Sequence, residues 1–361
     1  MIGIANNPGN KNYEKSKSLS IGMLMKVDVG NVNAGWTEGI VTIIKKVERP
    51  DGFFHPYISG QAIRRYIRDT IGDILNDEND NNLLLSPEES GTEKKSPIVT
   101  AGDPKKYVDD DLFGFMRAIK KERKKKKIQP ELKEQITETT EEGEEVKLAG
   151  TRKRTSPLRV SPSFGIFKLN SDRDLGTRSA IEVTKSAEAG GSIFETEITN
   201  NIFRSSLLLE LDRVGKWKSY ETTDEKDKSG GELSEKARKA RIAILLKSLK
   251  YLWGGGRQSR FLVDLIPQFI IYSRMKRKIP IFLNSIDVEY TTEGYRIKTD
   301  IIKETITDYS NDIHSIIIGI RTGKFVNSRE EYTKLHPNVE LMTVGDAIDS
   351  MIEDIRTCKL I

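Results

Sequence analysis

The chain has 361 residues, 36% of them hydrophobic, enough for one large or two ordinary domains with a real core. Fifty-nine Lys and Arg against 54 Asp and Glu leave a net charge of only +5, which excludes a histone-like polycation and makes any polyanion site a local one. Cys358 is the only cysteine, which excludes an intramolecular disulfide or a cysteine metal cluster, and no run of about 18 apolar residues and no secretion signal is present; the expectation is a cytoplasmic protein with no membrane contact.

After a polar start, "SLSIGMLMKVDV" over 18–29 alternates Leu19, Ile21 and Met23 (or Leu24) with small or polar neighbours and predicts the first strand. The glycine-rich "GNVNAGWTEG" reads as a connection. "IVTIIKKVE", 40–48, predicts a second strand ended by the turn signal Pro50-Asp51-Gly52. In "HPYISGQAIRRYIRDTIGDIL", 55–75, Ile63, Ile67, Ile71 and Ile74 recur at helical spacing behind Ser59 as N-cap. Arg64, Arg65 and Arg68 stand in the first turns, where a helix already carries partial positive charge, so the pattern asks for an anion nearby.

From 76 to about 157 the composition shifts to an Asn-rich acidic stretch, Ser/Thr/Pro linkers, the basic run "RAIKKERKKKK" and the acidic "ETTEEGEE", which predicts an inserted, partly disordered segment. Within it "DDDLFGFMRAI", 109–119, predicts a short docked helix. "SPLRVSPSFGIFKLN", 156–170, predicts a strand at an edge or with a bulge, given Pro157 and Pro162. "FRSSLLLELDRV", 203–214, predicts another strand. The helix "LSEKARKARIAILLKSLKYLW", 233–253, stops at Gly254, Gly255 and Gly256, and the strand "RFLVDLIPQFIIYS", 260–273, follows. "IPIFLNSIDVEY" is strand-like, and "VGDAIDSMIEDIRT" predicts a C-terminal helix. With the insertions set aside, the order strand, helix, strand, strand, helix, strand is the split βαβ, ferredoxin-like plan of RNA-recognition domains, an α+β fold.

In "LWGGGRQSRFL" the glycines allow a tight backbone path with free amides, and Arg257, Gln258 and Arg260 suit phosphate oxygens; a glycine C-cap followed by solvated arginines fits the same residues. Asn31, Asn33 and Trp36 suit hydrogen bonding and base stacking, or an ordinary turn with a core tryptophan. In the basic run, Lys120, Lys121, Arg123, Lys124 and Lys125 fit contact with a polyanion by counterion release, or a solvated stretch partly neutralised by the seven Glu between 131 and 145. His55, His314 and His336 are scattered, with no spacing for a metal pair or for a nucleophile and its base. The expectation is no catalytic residue, no metal and no cofactor.

"SIGMLMKVDVGNVNAGWTEG", "ISGQAIRRYIRD", "DDDLFGFM", "TRKRTSPLRVSP", "IFETEITNNIFRSSLLLELDRVG" and "LLKSLKYLWGGGRQSRFLVDLIP" follow one another between about 18 and 275. Together they resemble the DevR-type CRISPR-associated proteins, the repeated crRNA-binding backbone subunit of type I Cascade complexes. The resemblance implies a hand-shaped, modified RNA-recognition palm (18–75 and 158–275), a finger insertion (76–157), a thumb hairpin (171–200) and a C-terminal extension (276–361) completing the palm. It implies copies that polymerise as a helical filament along guide crRNA, with other Cascade subunits, and present the guide to target DNA, which the basic run of the finger could contact.

Carried over by position, the palm is Lys26, Asn31, Ser59, Gln61, Arg64, Arg65, Arg257 and Arg260. Asn33, Trp36, Arg68, Arg159 and Gln258 join it as RNA contacts, and the thumb offers Arg178, Lys185 and Phe194. The ring-bearing strand motif of ordinary RNA-recognition domains is missing, which favours sequence-independent backbone binding over base readout. Two enzymatic alternatives belong to the same superfamily. One is a type III backbone subunit that cleaves target RNA through an aspartate in the position of Asp28 with a divalent metal, although a lone carboxylate is usually a turn or capping group. The other is a guide-processing endoribonuclease, which would use a histidine.

Overall fold

Along β1 (Ser18–Gly30), Leu19, Ile21, Met23, Met25 and Val27 enter one core while Leu24 enters a second core on the opposite face. Gly22 shares that opposite face, and a β-carbon there would lie 2.3 Å from Ile286 and 2.7 Å from Phe282. The strand is thus packed on both sides, with its small residues turned toward the closer layer. The computed structural model describes residues 15–78, 82–88, 100–118, 151–178, 192–222, 229–255, 258–337, 339 and 341–360.

β2 (Ala34–Glu38) and β3 (Val41–Ile44) form a hairpin where the sequence reads as a connection, and β4 (Lys46–Glu48) pairs with β5 (Phe54–Ile58). The strand expected over 40–48 is broken at Lys45, whose N–H donates to the Asn33 carbonyl and whose carbonyl accepts from Tyr57. α1 (Gly60–Asp77) is capped by Ser59, whose Oγ accepts the Ala62 N–H at 3.3 Å, and it buries Ile63, Ile67, Ile71 and Ile74 as its spacing requires.

The helix expected over 109–119 is shorter. α2 (Val108–Phe113) ends at Gly114, φ +69°, and β6 (Phe115–Ala118) then pairs with β7 (Thr151–Arg154). The strand expected over 156–170 is two pieces, β8 (Leu158–Val160) and β9 (Ser163–Gly165), divided at Pro162, which has no N–H to give a ladder. β10 (Ser171–Arg178) pairs with β11 (Ser192–Glu210) from Ser171 opposite Thr199 to Arg178 opposite Ser192. One 19-residue strand therefore serves both this hairpin and the central sheet.

The chain continues through a small ladder of β12 (Lys216–Trp217) and β13 (Gly231–Glu232), α3 (Glu235–Ser248), and the single turn α4 (Gln258–Phe261). Pairing resumes only at β14 (Pro267–Met275), seven residues later than the 260–273 pattern predicts, because Gln258–Phe261 coil to close the glycine-rich loop. β15 (Val288–Thr291), β16 (Gly294–Ile297), α5 (Thr299–Asp308), β17 (Ile313–Ile320), α6 (Arg329–Thr333), β18 (Leu341–Met342) and α7 (Val344–Thr357) complete it.

In the centre, β14, β1 and β11 lie side by side, with β8 and β9 on the far edge of β11, all antiparallel. This is the ferredoxin-like order of an RNA-recognition palm, widened by β17 and β18 beyond β14. α1, α3 and α7 cover one face. Phe282, Ile286, Ile302 and Ile306 lie in the core on the other, so the face that an open RNA-recognition sheet would offer to bases is occupied by the C-terminal part of the chain.

The root of the insertion is fastened by charge as well as by apolar contact. Buried Asp111 accepts from Arg154 at 2.5 Å, from Arg241 at 2.8 Å and from the Gly215 N–H at 2.7 Å. Arg154 also donates to Glu221 at 2.7 Å. A buried carboxylate held by two guanidiniums and an amide has the partners its desolvation demands.

Candidate nucleic-acid interface

At one end of the sheet, the end of β1, the start of α1 and the glycine-rich loop come together. Tyr66 of α1 lies under the loop: a β-carbon on Gly254 would sit 2.4 Å from its ring, and its hydroxyl donates to the Val32 carbonyl at 3.4 Å. A β-carbon on Gly30 would lie 2.3 Å from Val263, just beyond the loop. Gln258 closes the loop on itself, donating to the carbonyls of Gly254 and, at 3.0 Å, of Val263, while its Oε1 accepts the Val263 N–H at 3.0 Å.

The hairpin is joined to the same place. Arg260 donates to Asp174 of β10, and its guanidinium lies 4.9 Å from the ring centre of Phe194 of β11. Asn31, buried, donates to the Glu197 carbonyl at 3.0 Å, and the Glu197 carboxylate accepts the Ile44 N–H at 2.7 Å and Lys46 Nζ at 3.1 Å. Asn33 accepts the Ser59 N–H at 3.0 Å, tying the β1–β2 connection to the α1 cap. Of the predicted contacts, Asn31, Asn33 and Gln258 thus shape the backbone of the site. Gln61 is exposed, Trp36 is 65% exposed with its Nε1 donating to Glu38 at 3.1 Å, and Lys26 pairs with Asp28 at 2.6 Å beneath Tyr295.

The arginines at the start of α1 already have partners within the protein, carboxylates for Arg65 and Arg68 and a backbone carbonyl for Arg64. Arg64 is half-buried and donates to the Phe113 carbonyl; burial pushes its pKa down. Arg65 pairs with Asp69 at 2.9 Å and Glu88 at 2.5 Å. Arg68 pairs with buried Asp109 at 2.9 Å and with Glu88 at 2.6 Å, and donates to the Ser86 carbonyl. These contacts fasten α1 to the segment before α2 and to both ends of α2. Arg68, paired on both sides, serves as a fastening residue in the fold.

Arg159 stands apart from the convergence. It binds Glu210, which lies opposite Ser18 at the start of β1, whereas Thr199 lies opposite Gly30 at its end. At about 3.3 Å per residue the two ends are roughly 35 Å apart. Arg178 closes the described part of the hairpin. Lys185, Arg257, Lys120, Lys121, Arg123, Lys124 and Lys125 lie outside the described residues.

His55 is buried and bonds the Gly165 carbonyl at 2.9 Å and Asp51 at 3.0 Å, a structural clasp. Among the described residues no three His, Cys, Asp or Glu side chains are grouped to hold a metal. Tyr66, Asp174 and Glu197 escaped sequence reasoning: Tyr66 sits beside the Ile63–Ile67 stripe like any core residue, and the two carboxylates lie in the expected thumb, 171–200, where only Arg178, Lys185 and Phe194 stood out.

The model of the CRISPR-associated negative auto-regulator DevR/Csa2 family matches residues 25–294, most of the chain. No curated protein sequence matches. Among solved structures, a chain of a "CRISPR RNA-guided surveillance complex" is similar with a TM-score of 0.52 at 13% identity, over 93% of this chain and 99% of that one. A chain of a "CRISPR RNA-guided surveillance complex, pre-nicking" is similar with a TM-score of 0.52 at 13% identity, over 94% of this chain and 100% of that one. At this identity the likeness shows a shared fold.

Proposed function

As the chain belongs to the CRISPR-associated DevR/Csa2 family, we propose that it is the guide-RNA-binding backbone subunit of a type I surveillance complex, a binding protein without chemistry of its own. The observation that carries this reading is the convergence of the β1 end, the α1 start and the glycine-rich loop at one end of a sheet whose faces are both covered. A site built from loop backbone and a rim of Lys26, Gln61 and Arg260 suits phosphate and sugar contacts and gives no base code. Replacing Arg257 and Arg260 together by Ala should weaken binding to unrelated single-stranded RNAs equally and lower the salt slope by about 1.4, roughly 0.7 per lost phosphate contact. Unchanged affinity in a folded variant would reject the site.

In this reading copies of the chain line up along one guide, other subunits of the complex complete the particle, and the guide is presented to target DNA. The hairpin of β10 and β11 is the thumb: its face away from Arg260 carries Leu175 and Ile193, 61% and 55% exposed, which supports a contact beyond the palm that bears them. Deleting 177–192 with a Gly/Ser bridge should leave the palm folded, since Ser18–Val27 of β1 pair with β11 only over Asn201–Glu210. It should abolish regular spacing of subunits on a long RNA, as seen by electron microscopy. Filaments of normal spacing from the deletion variant would reject the thumb. No helix among the described residues is long and apolar enough to cross a membrane.

A further inference from the structure

At the sheet end opposite the palm site, a cavity of about 490 Å³ opens between β7, β8 and the turn after β12. Lys153 and Lys218 are exposed on its wall, and Arg159 stands on its rim with its side chain 61% exposed. Tyr220 is 55% exposed beneath Lys218, whose Nζ lies 5.7 Å from the ring centre. Trp217 backs the cavity, buried, its indole Nε1–H meeting no acceptor among the described residues. The two acidic lining residues are already engaged: Glu221 by Arg154 at 2.7 Å and Asp212 by Lys278 at 2.9 Å.

The wall is held rigid from behind. Glu221 accepts both Arg154 and the Lys218 N–H at 3.0 Å, so the turn bearing Lys218 and Tyr220 is pinned to the buried Arg154–Asp111 pair. Exposed ammonium groups on a fixed frame beside an exposed ring are what a phosphodiester with a neighbouring base would meet. An acidic protein surface would use the cations but not the ring.

We infer that this cavity is a second polyanion site that takes a single-stranded polynucleotide, roughly 35 Å along the sheet from the palm site and distinct from it. It would take such a strand whether or not the palm holds guide RNA. Arg159, expected among the guide contacts, belongs here.

The test uses the full chain carrying one equivalent of unlabelled single-stranded RNA, enough for the palm alone, and measures binding of fluorescent oligo(dT) to the wild type, to a Lys153→Ala/Lys218→Ala variant and to Tyr220→Ala. The wild type should bind oligo(dT) under these conditions. The double variant should lose about tenfold, with a salt slope lower by about 1.4, and Tyr220→Ala should lose several-fold with an unchanged slope. RNA affinity of the double variant measured alone should stay within about twofold of wild type. Lys153 and Lys218 are exposed, so melting curves should coincide and any loss reads the site. Wild-type oligo(dT) binding by the double variant would overturn the inference. So would a matching fall in RNA affinity, which makes one continuous groove. Displacement of oligo(dT) by inorganic phosphate as completely as by unlabelled oligo(dT) would assign the cavity to a small anion, and equal displacement by poly-glutamate would assign it to an acidic protein; either result overturns the polynucleotide.

Discussion

The ring of Tyr66 lies directly beneath the backbone of Gly254, so close that a β-carbon on that glycine would fall 2.4 Å from it. The loop can sit on α1 only because residue 254 has no side chain. Gly254→Ala should therefore push the loop off the helix, costing about 1–3 kcal/mol of stability and about tenfold or more in single-stranded RNA affinity. Gly323→Ala is the control: its φ of +85° makes a side chain strained, but nothing lies within 4 Å of its β-carbon position. It should cost about 1–2 kcal/mol and leave RNA binding alone. Equal RNA affinity in both variants would show that the seat on Tyr66 does not matter to binding.

Arg68 and Arg65 stand one turn apart on α1 and should respond differently. Arg68→Ala strips the guanidinium from Asp109, a carboxylate whose side chain is 2% exposed, and should destabilise the fold by about 3 kcal/mol in chemical denaturation. Arg65→Ala breaks exposed pairs and should cost no more than about 1 kcal/mol. If Arg68→Ala were as stable as wild type and lost RNA affinity instead, its role would be at the ligand.

Asp28 is largely exposed and pairs with Lys26, which makes it a partner for a cation on its own strand. Incubation of the protein with RNA in the presence of Mg²⁺ or Mn²⁺ should leave the RNA uncut on a denaturing gel. Cleavage that disappears in Asp28→Ala would instead establish a metal-dependent ribonuclease on this fold.

Burial alone would raise the Glu210 carboxyl, but hydrogen bonds from Lys278 and Arg159, with Arg213 nearby, hold it below its ordinary 4.5. Its folded value lies under its unfolded one, so its contribution to stability is present above about pH 4.5 and is lost as pH falls through the folded value. Glu210→Gln should flatten the acid side of the stability curve, measured by urea denaturation across that range. An unchanged curve would mean the cluster adds nothing to acid sensitivity.

Element types were legible in sequence wherever one residue's environment is set by its neighbours along the chain. The isoleucine spacing of α1, the Ser59 cap, the alternation in β1 and the helical stop before Gly254 all follow from local periodicity and propensity, and each stands in the fold. The order of those elements was enough for the ferredoxin-like plan. Tertiary structure alone decided what the charges do. Three arginines on one helix look alike in sequence, yet contact with Glu88, Asp109 and Phe113, distant along the chain, divides them between exposed and buried work. It also separated Arg159 from the palm, because a 19-residue strand carries the chain from one end of the sheet to the other. Whether a cation is free for a phosphate depends on which carboxylate the fold brings beside it, and that pairing is nonlocal.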